Sequence, residues 1–274
     1  MLELAIRQRD VFPYYRNCCL AMEDMYSQIK THFDVDNSTK ELIKLRGYVE
    51  GSEQHKLLKD LQICSCAIYD TAELGDKAKN LGAITNIGRF LLDDRFIIPV
   101  RDIEGNLVTL IGYYPDYKKY ITMPAPFFSK EAMFFNIDQA YDLSYNDFGG
   151  AIFLVEGIFD CLSLRAIGLP AIATMGSDVT SVKRETLKLF SKVVYIPDND
   201  KVGHRALNRY DTRYGWKVPK TATGIRLKGG IDFGSQVLKV KDIDNLITWC
   251  EADDVRELLL AVLDSKSDIE TLQV

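Results

Sequence analysis

Apolar and polar positions along the chain fall into three textures. Leu4 to His32 lacks Gly and carries a single proline, Pro13, which favours helix. Ser38-Thr39-Lys40-Glu41 ahead of Leu42-Ile43 has the make-up of a helix cap, and Glu73 to Leu81 predicts a short helix closed by Gly82. The first ninety residues or so therefore read as mostly helical. The second texture is strand-like. Arg95-Phe96-Ile97-Ile98-Pro99-Val100-Arg101 and Asn106 to Tyr114 flank the turn chemistry of Asp102-Ile103-Glu104-Gly105, which predicts a hairpin, and Lys119-Tyr120-Ile121-Thr122 adds a third short strand.

From Gly149 strands and helices alternate. Ala151-Ile152-Phe153-Leu154-Val155 is a continuous apolar run, as expected of a strand buried on both faces. A helix over Phe159 to Ile167 closed by Gly168, a strand at Ala171 to Thr174, a helix over Thr180 to Phe190 and a strand at Lys192 to Ile196 follow. A helix over Gly203 to Tyr214 and a strand at Gly224 to Leu227 complete the pattern. The expected class is α/β, α+β overall. A helical region and a small mixed or antiparallel sheet occupy residues 1–148, and a parallel β-α-β sheet with a carboxy-terminal helix occupies 149–274.

Composition excludes several classes. Among 274 residues, 47% are hydrophobic and 27% charged, a globular balance rather than a disordered one. No apolar run spans a bilayer, and the early Glu3 argues against a secretory signal, so a cytoplasmic protein with no membrane partner is expected. Cys18-Cys19 and Cys64-Ser65-Cys66 lack the usual zinc-ligand spacing, so no structural zinc is expected and the six cysteines read as free thiols. The net charge of −5 argues against non-specific coating of nucleic acid. Yet Lys201, Arg205, Arg209, Arg213, Lys217, Lys220, Arg226 and Lys228 face only Asp211 in their stretch. Arg205, Arg209 and Arg213 step by four, along one helix face that would meet phosphates or simply solvent.

Open parallel sheets bind ligands beyond the carboxyl ends of their strands. Here the strand at Ala151–Val155 runs into Glu156-Gly157, the strand ending at Ile196 into Pro197-Asp198-Asn199-Asp200, and Val237 to Lys241 into Asp242-Ile243-Asp244. Clustered carboxylates repel one another unless a cation neutralises them, and hard oxygen ligands suit Mg²⁺ or Mn²⁺. Helix-capping and surface roles for the same aspartates are the alternative.

These residues also carry a resemblance. Phe153-Leu154-Val155-Glu156-Gly157 with Asp160, Thr174-Met175-Gly176-Ser177, and Tyr195-Ile196-Pro197-Asp198-Asn199-Asp200 with Gly203 resemble the motifs of the TOPRIM domain. Upstream, Asp94 to Asp102, Gly105, Leu110-Ile111-Gly112-Tyr113, Lys119-Tyr120 and Phe128-Ser129-Lys130 are similar to the catalytic core of DnaG-type DNA primases, and Lys241 to Leu246 resembles their late acidic motif. Leu45-Arg46-Gly47-Tyr48 is a fainter echo of their helical amino-terminal region. Asn199 stands where glycine is common, a substitution that a left-handed turn tolerates.

The resemblance implies RNA primer synthesis on a single-stranded DNA template from ribonucleoside triphosphates. Asp198, Asp200 and Asp242 would hold the metal, with Asp244 as a further ligand and Asp160 in support. Two roles suit Glu156: metal ligand, or acceptor of the 3′-hydroxyl proton. Arg95, Lys119, Lys130, Arg205 and Arg209 are candidates for triphosphate or template contacts, and Tyr113, Tyr114, Tyr117 and Tyr120 for stacking on bases. The absence of zinc-ribbon cysteines and of a large carboxy-terminal extension resembles a phage or mobile-element version, one needing a replicative helicase or a separate zinc-binding replisome protein. The rival readings are a TOPRIM nuclease and a non-catalytic module that binds DNA or the replisome. A topoisomerase would need a second domain to present its tyrosine.

Overall fold

The computed structural model describes residues 15–32, 34–66, 74–123, 129–176, 179–203, 222–228, 230–232, 237–263 and 269–273. They form two compact units, 1–129 and 130–274. No helix among the described residues is long and apolar enough to cross a membrane.

The first unit opens on helix α1 (Tyr15–His32), whose Met22, Met25, Tyr26 and Ile29 share one face and are buried. Helices α2 (Val35–Arg46) and α3 (Glu53–Asp60) follow, then strand β1 (Cys64–Cys66) and helix α4 (Gly75–Asn80). Ser38 was expected to cap α2. Asp34 does so instead, because its carboxylate accepts from the amides of Asp36 and Asn37. The Ser38 and Thr39 hydroxyls turn back to the carbonyls of Asp34 and Val35 inside the helix.

Strands β2 (Arg95–Arg101), β3 (Leu107–Tyr114) and β4 (Lys119–Thr122) complete a four-stranded antiparallel sheet in the order β1-β2-β3-β4. The expected hairpin and third strand are present. Strand β1 was not anticipated, since three residues are too few to establish a period. Cys64 and Cys66 both face the core, and all six cysteines are free thiols.

Asp102 organises the β2–β3 turn. Its carboxylate accepts from the backbone amides of Glu104 and Asn106, from the Asn106 side chain, and from the Tyr15 hydroxyl of α1 at 2.6 Å. Asp102→Ala removes all of these at a buried position. It is expected to lower unfolding stability by about 2–3 kcal/mol, read as a fall in the urea midpoint, with Asp102→Asn intermediate.

The second unit is a five-stranded, wholly parallel sheet in the order β11-β8-β7-β5-β6. Helix α5 (Ile137–Asp147) precedes β5 (Ala151–Val155), α6 (Ile158–Ala166), β6 (Ala171–Ala173), α7 (Ser181–Leu187) and β7 (Lys192–Ile196). Then come β8 (Ala222–Lys228), the antiparallel ribbon of β9 (Gly230–Asp232) and β10 (Val237–Lys239), helices α8 (Ile243–Trp249) and α9 (Ala252–Leu263), and β11 (Ile269–Gln273). The strand–helix alternation expected from Gly149 is present through β7, and most of the helix expected over Gly203 to Tyr214 lies outside the described residues.

Two expectations need correcting. The division falls at Ser129/Lys130 rather than at 148/149, because Phe135 bridges Ala173 and the Asn136 amide donates to Ala171, so the residues before β5 belong to the parallel sheet. The segment ahead of Asp242 is not a strand of that sheet; among the described residues β10 pairs with β9 alone.

Candidate active site

Strands β5 and β7 are neighbours in register, with Val155 opposite Ile196. The residues that follow them therefore leave the same edge of the sheet side by side, which sets Glu156 and Asp198 at adjacent strand ends. The Tyr195 hydroxyl donates to Glu156 Oε1 at 3.1 Å. The sequence places Tyr195 in a strand and in the acidic motif without a role of its own; its contact depends on register, which no local pattern reveals.

Asp242 arrives by another route. The Asn199 amide donates to the Lys241 carbonyl at 2.6 Å, and the Asn199 side chain donates to the Val240 carbonyl at 2.8 Å. Buried Asn199 thus stitches the segment before α8 onto the loop after β7 and brings Asp242 beside Asp198. The middle residue of the acidic motif looked like a tolerated departure from glycine. Its side chain has structural work that glycine lacks.

The aspartates also cap helices. Asp200 Oδ1 accepts from the amides of Val202 and Gly203, both at 2.8 Å, and Asp242 Oδ1 accepts from the Asn245 amide at 2.9 Å. Asp200 and Asp242 therefore cap locally, and both charges also act on Asp198.

Asp160, in the first turn of α6, is almost fully buried and accepts from the Asp244 amide at 3.1 Å. An added Cβ on Gly157 would meet Asp160 Oδ2 at 2.3 Å, so glycine is what lets this carboxylate close over the start of α6. Asp244, a metal-ligand candidate, has a buried carboxylate that accepts from the Ser163 hydroxyl of α6 at 2.5 Å and so joins α6 to α8.

The electrostatics follow from this crowding. Burial, then Asp242, lifts the Asp198 carboxyl to about 6. Burial, then Asp198, raises Glu156, although the Tyr195 hydroxyl opposes the shift. Burial together with Asp242, Asp244 and Asp198 holds Asp160 well above the usual carboxylate range. Among the described residues no three His, Cys, Asp or Glu side chains close into a ready coordination group. The acids share an electrostatic field without closing into a cage.

The basic candidates divide. Arg95 and Lys119 lie on β2 and β4 of the first unit, flanking β3. Lys130 is exposed at the start of the second unit. Arg205 and Arg209 lie outside the described residues, as does most of the helix expected over Gly203 to Tyr214.

Three similarities bear on this arrangement. The Toprim-like family pattern matches residues 153–226. A DNA primase of Clostridium acetobutylicum is 32% identical over 121 residues, which are 42% of this chain and 20% of that protein. The chain therefore spans about a fifth of the length of this curated relative. The RNA polymerase domain of Mycobacterium tuberculosis primase DnaG superposes with a TM-score of 0.69 at 17% identity, covering 89% of this chain and 83% of that one. A DnaG primase catalytic domain bound to single-stranded DNA superposes at 0.67 and 17% identity, covering 90% and 80%.

Proposed function

We propose, for a chain that carries a Toprim-like domain on the fold of the DnaG-type primase catalytic cores, that it synthesises RNA primers on single-stranded DNA. The single observation that carries this reading is the meeting of Glu156 and Asp198 at adjacent parallel strand ends, with Asp242 drawn in by Asn199. The substrates are ribonucleoside triphosphates and a DNA template. A replicative helicase or a separate zinc-binding protein is the partner class that the resemblance adds.

In the reaction, the 3′-hydroxyl oxygen of one nucleotide attacks the α-phosphorus of the next, pyrophosphate leaves, and the hydroxyl proton must find an acceptor. Glu156 suits that role, since burial and Asp198 raise its proton affinity while Tyr195 holds one oxygen in place. Asp198, Asp200 and Asp242 would hold Mg²⁺ or Mn²⁺, with Asp160 and Asp244 behind them. Bound there, the ion would neutralise charge building on the phosphate oxygens. Arg95, Lys119 and Lys130 are donors of the type that phosphate recognition favours.

The test is to incubate the protein with single-stranded DNA, labelled ribonucleotides and Mg²⁺ or Mn²⁺, beside Glu156→Gln. Short ribonucleotide products that fall by about a hundredfold or more in the variant support the assignment. DNA cleavage without synthesis would replace it with a nuclease, and DNA binding with neither reaction would replace it with a binding module.

A further inference from the structure

The four-stranded sheet of the first unit carries an aromatic column that the acid site does not use. Gly112 on β3 makes room for it. A Cβ there would meet Arg95 Cδ at 2.5 Å, so the glycine lets the Arg95 side chain lie flat across the strand. The Arg95 guanidinium sits 5.3 Å from the Tyr114 ring centroid, and its Nε is buried with no hydrogen-bond partner among the described residues. The chain then turns through the 3₁₀ segment Pro115–Tyr117 and closes on Lys118 in the left-handed region. This folds the Tyr117 ring back onto Tyr114, with centroids 5.2 Å apart and planes 15° from parallel. Lys119 Nζ lies 5.9 Å from the Tyr117 centroid. Beside the column, Tyr120 rests on buried Tyr113 at 5.0 Å.

Arg95, Tyr114 and Tyr117 therefore form an ordered cation–aromatic–aromatic stack that ends at the surface. Tyr117 is 69% exposed and Tyr120 is 43% exposed. Core packing accounts for Tyr113 but not for Tyr117, whose ring stacks on Tyr114 while most of it stays accessible. Flat accessible rings flanked by cations are what an unpaired base and its phosphate require: stacking on the ring, charge pairing beside it, and little dependence on base identity.

We propose that Tyr117, backed by Tyr114 and Arg95 and flanked by Lys119, is a stacking platform for an unpaired nucleobase attached to phosphate. The inference rests on the primer-synthesis reading and adds to it a base contact outside the acid cluster. The base comes either from a single strand or from a free nucleotide.

The test is equilibrium binding of the full chain, by fluorescence anisotropy, to a thymidine oligomer and to an abasic oligomer of equal length and charge. ATP forms a parallel arm. Tyr117→Ala is expected to weaken thymidine-oligomer or ATP binding by about tenfold while abasic-oligomer binding is unchanged. Tyr117→Phe should match the wild type, whereas Tyr117→Leu, which keeps bulk without a π-face, should behave like the alanine variant. A loss confined to the oligomer assigns the platform to a strand, and one confined to ATP assigns it to the incoming nucleotide. Unchanged binding of both ligands by Tyr117→Ala, or an equal loss on the abasic oligomer, overturns the platform. Failure of the wild type to bind the thymidine oligomer would count instead against the primer-synthesis reading, and the ATP arm would still decide the platform. Melting temperature should not move in any of the three variants, because the substituted ring is largely outside the core.

Discussion

Asp198→Asn is expected to lower primer synthesis by at least about a hundredfold while raising the melting temperature of the metal-free protein. The opposed signs come from one cause. Asp198 ends β7 beside Glu156 and next to Asp242, and burial followed by the Asp242 charge lifts its carboxyl from 3.8 to about 6. A carboxyl that binds its proton more tightly in the folded state stabilises the fold below its unfolded value and loses that contribution as pH rises through its folded value. Over the window from 3.8 to about 6 the folded protein therefore loses stability, and above it Asp198 is a net liability. With its partial exposure allowed for, the liability is on the order of 1–2 kcal/mol, and removing the charge should raise the melting temperature at pH 8 by a few degrees. The wild type should also show a steeper fall in melting temperature across the window than the variant. Excess Mg²⁺ should stabilise the wild type at pH 8 more than Asp198→Asn, because the variant has lost one carboxylate of the site and the part of the repulsion that it contributes. Equal stabilisation of both proteins by Mg²⁺, or a lower melting temperature for the variant at pH 8, would remove Asp198 from the cation site.

The parts of this site that local pattern could reach, and those it could not, separate cleanly by physics. The continuous apolar run Ala151–Val155 announces a strand buried on both faces, the strand at Lys192–Ile196 follows the same β-α alternation, and the acids that follow them mark the ligand edge. Those features are contiguous in sequence, so they are visible there. The long-range partners are not. That Asn199 grips Val240 and Lys241, that Tyr195 reaches Glu156, and that Asp244 turns inward to Ser163 all depend on how distant segments dock. Short elements differ: β1 spans too few residues to establish a period, and the segment holding β10 was visible as a strand while its pairing with β9 was not. The cap of α2 went to Asp34 over Ser38 because a carboxylate four residues earlier already satisfied the first amides. Arg205 and Arg209, expected on one helix face from their four-residue step, lie outside the described residues.

Gly203→Ala is the second change expected to have a large effect, and it separates geometry from charge. A Cβ at Gly203 would stand 2.1 Å from the Asp198 carbonyl oxygen, 2.9 Å from its carbon and 3.0 Å from its nitrogen. All three are backbone atoms, so no side chain can swing aside to make room, and the loop after β7 must move. The same residue's amide is one of the two that Asp200 accepts, so displacement also loosens that cap. Overpacking against fixed backbone costs about 1–3 kcal/mol, and the lost cap adds about 1 kcal/mol. A fall of about 2–4 kcal/mol in unfolding stability is therefore expected, together with weaker stabilisation by Mg²⁺, since Asp198 moves with its backbone. Gly176→Ala supplies the control within the same unit. Its Cβ would meet nothing within 4 Å, so its stability should stay within about 0.5 kcal/mol of the wild type. If both alanine variants unfold alike, or if Gly203→Ala keeps wild-type stability and Mg²⁺ response, the close approach of the helix start to Asp198 is not what shapes the acid site.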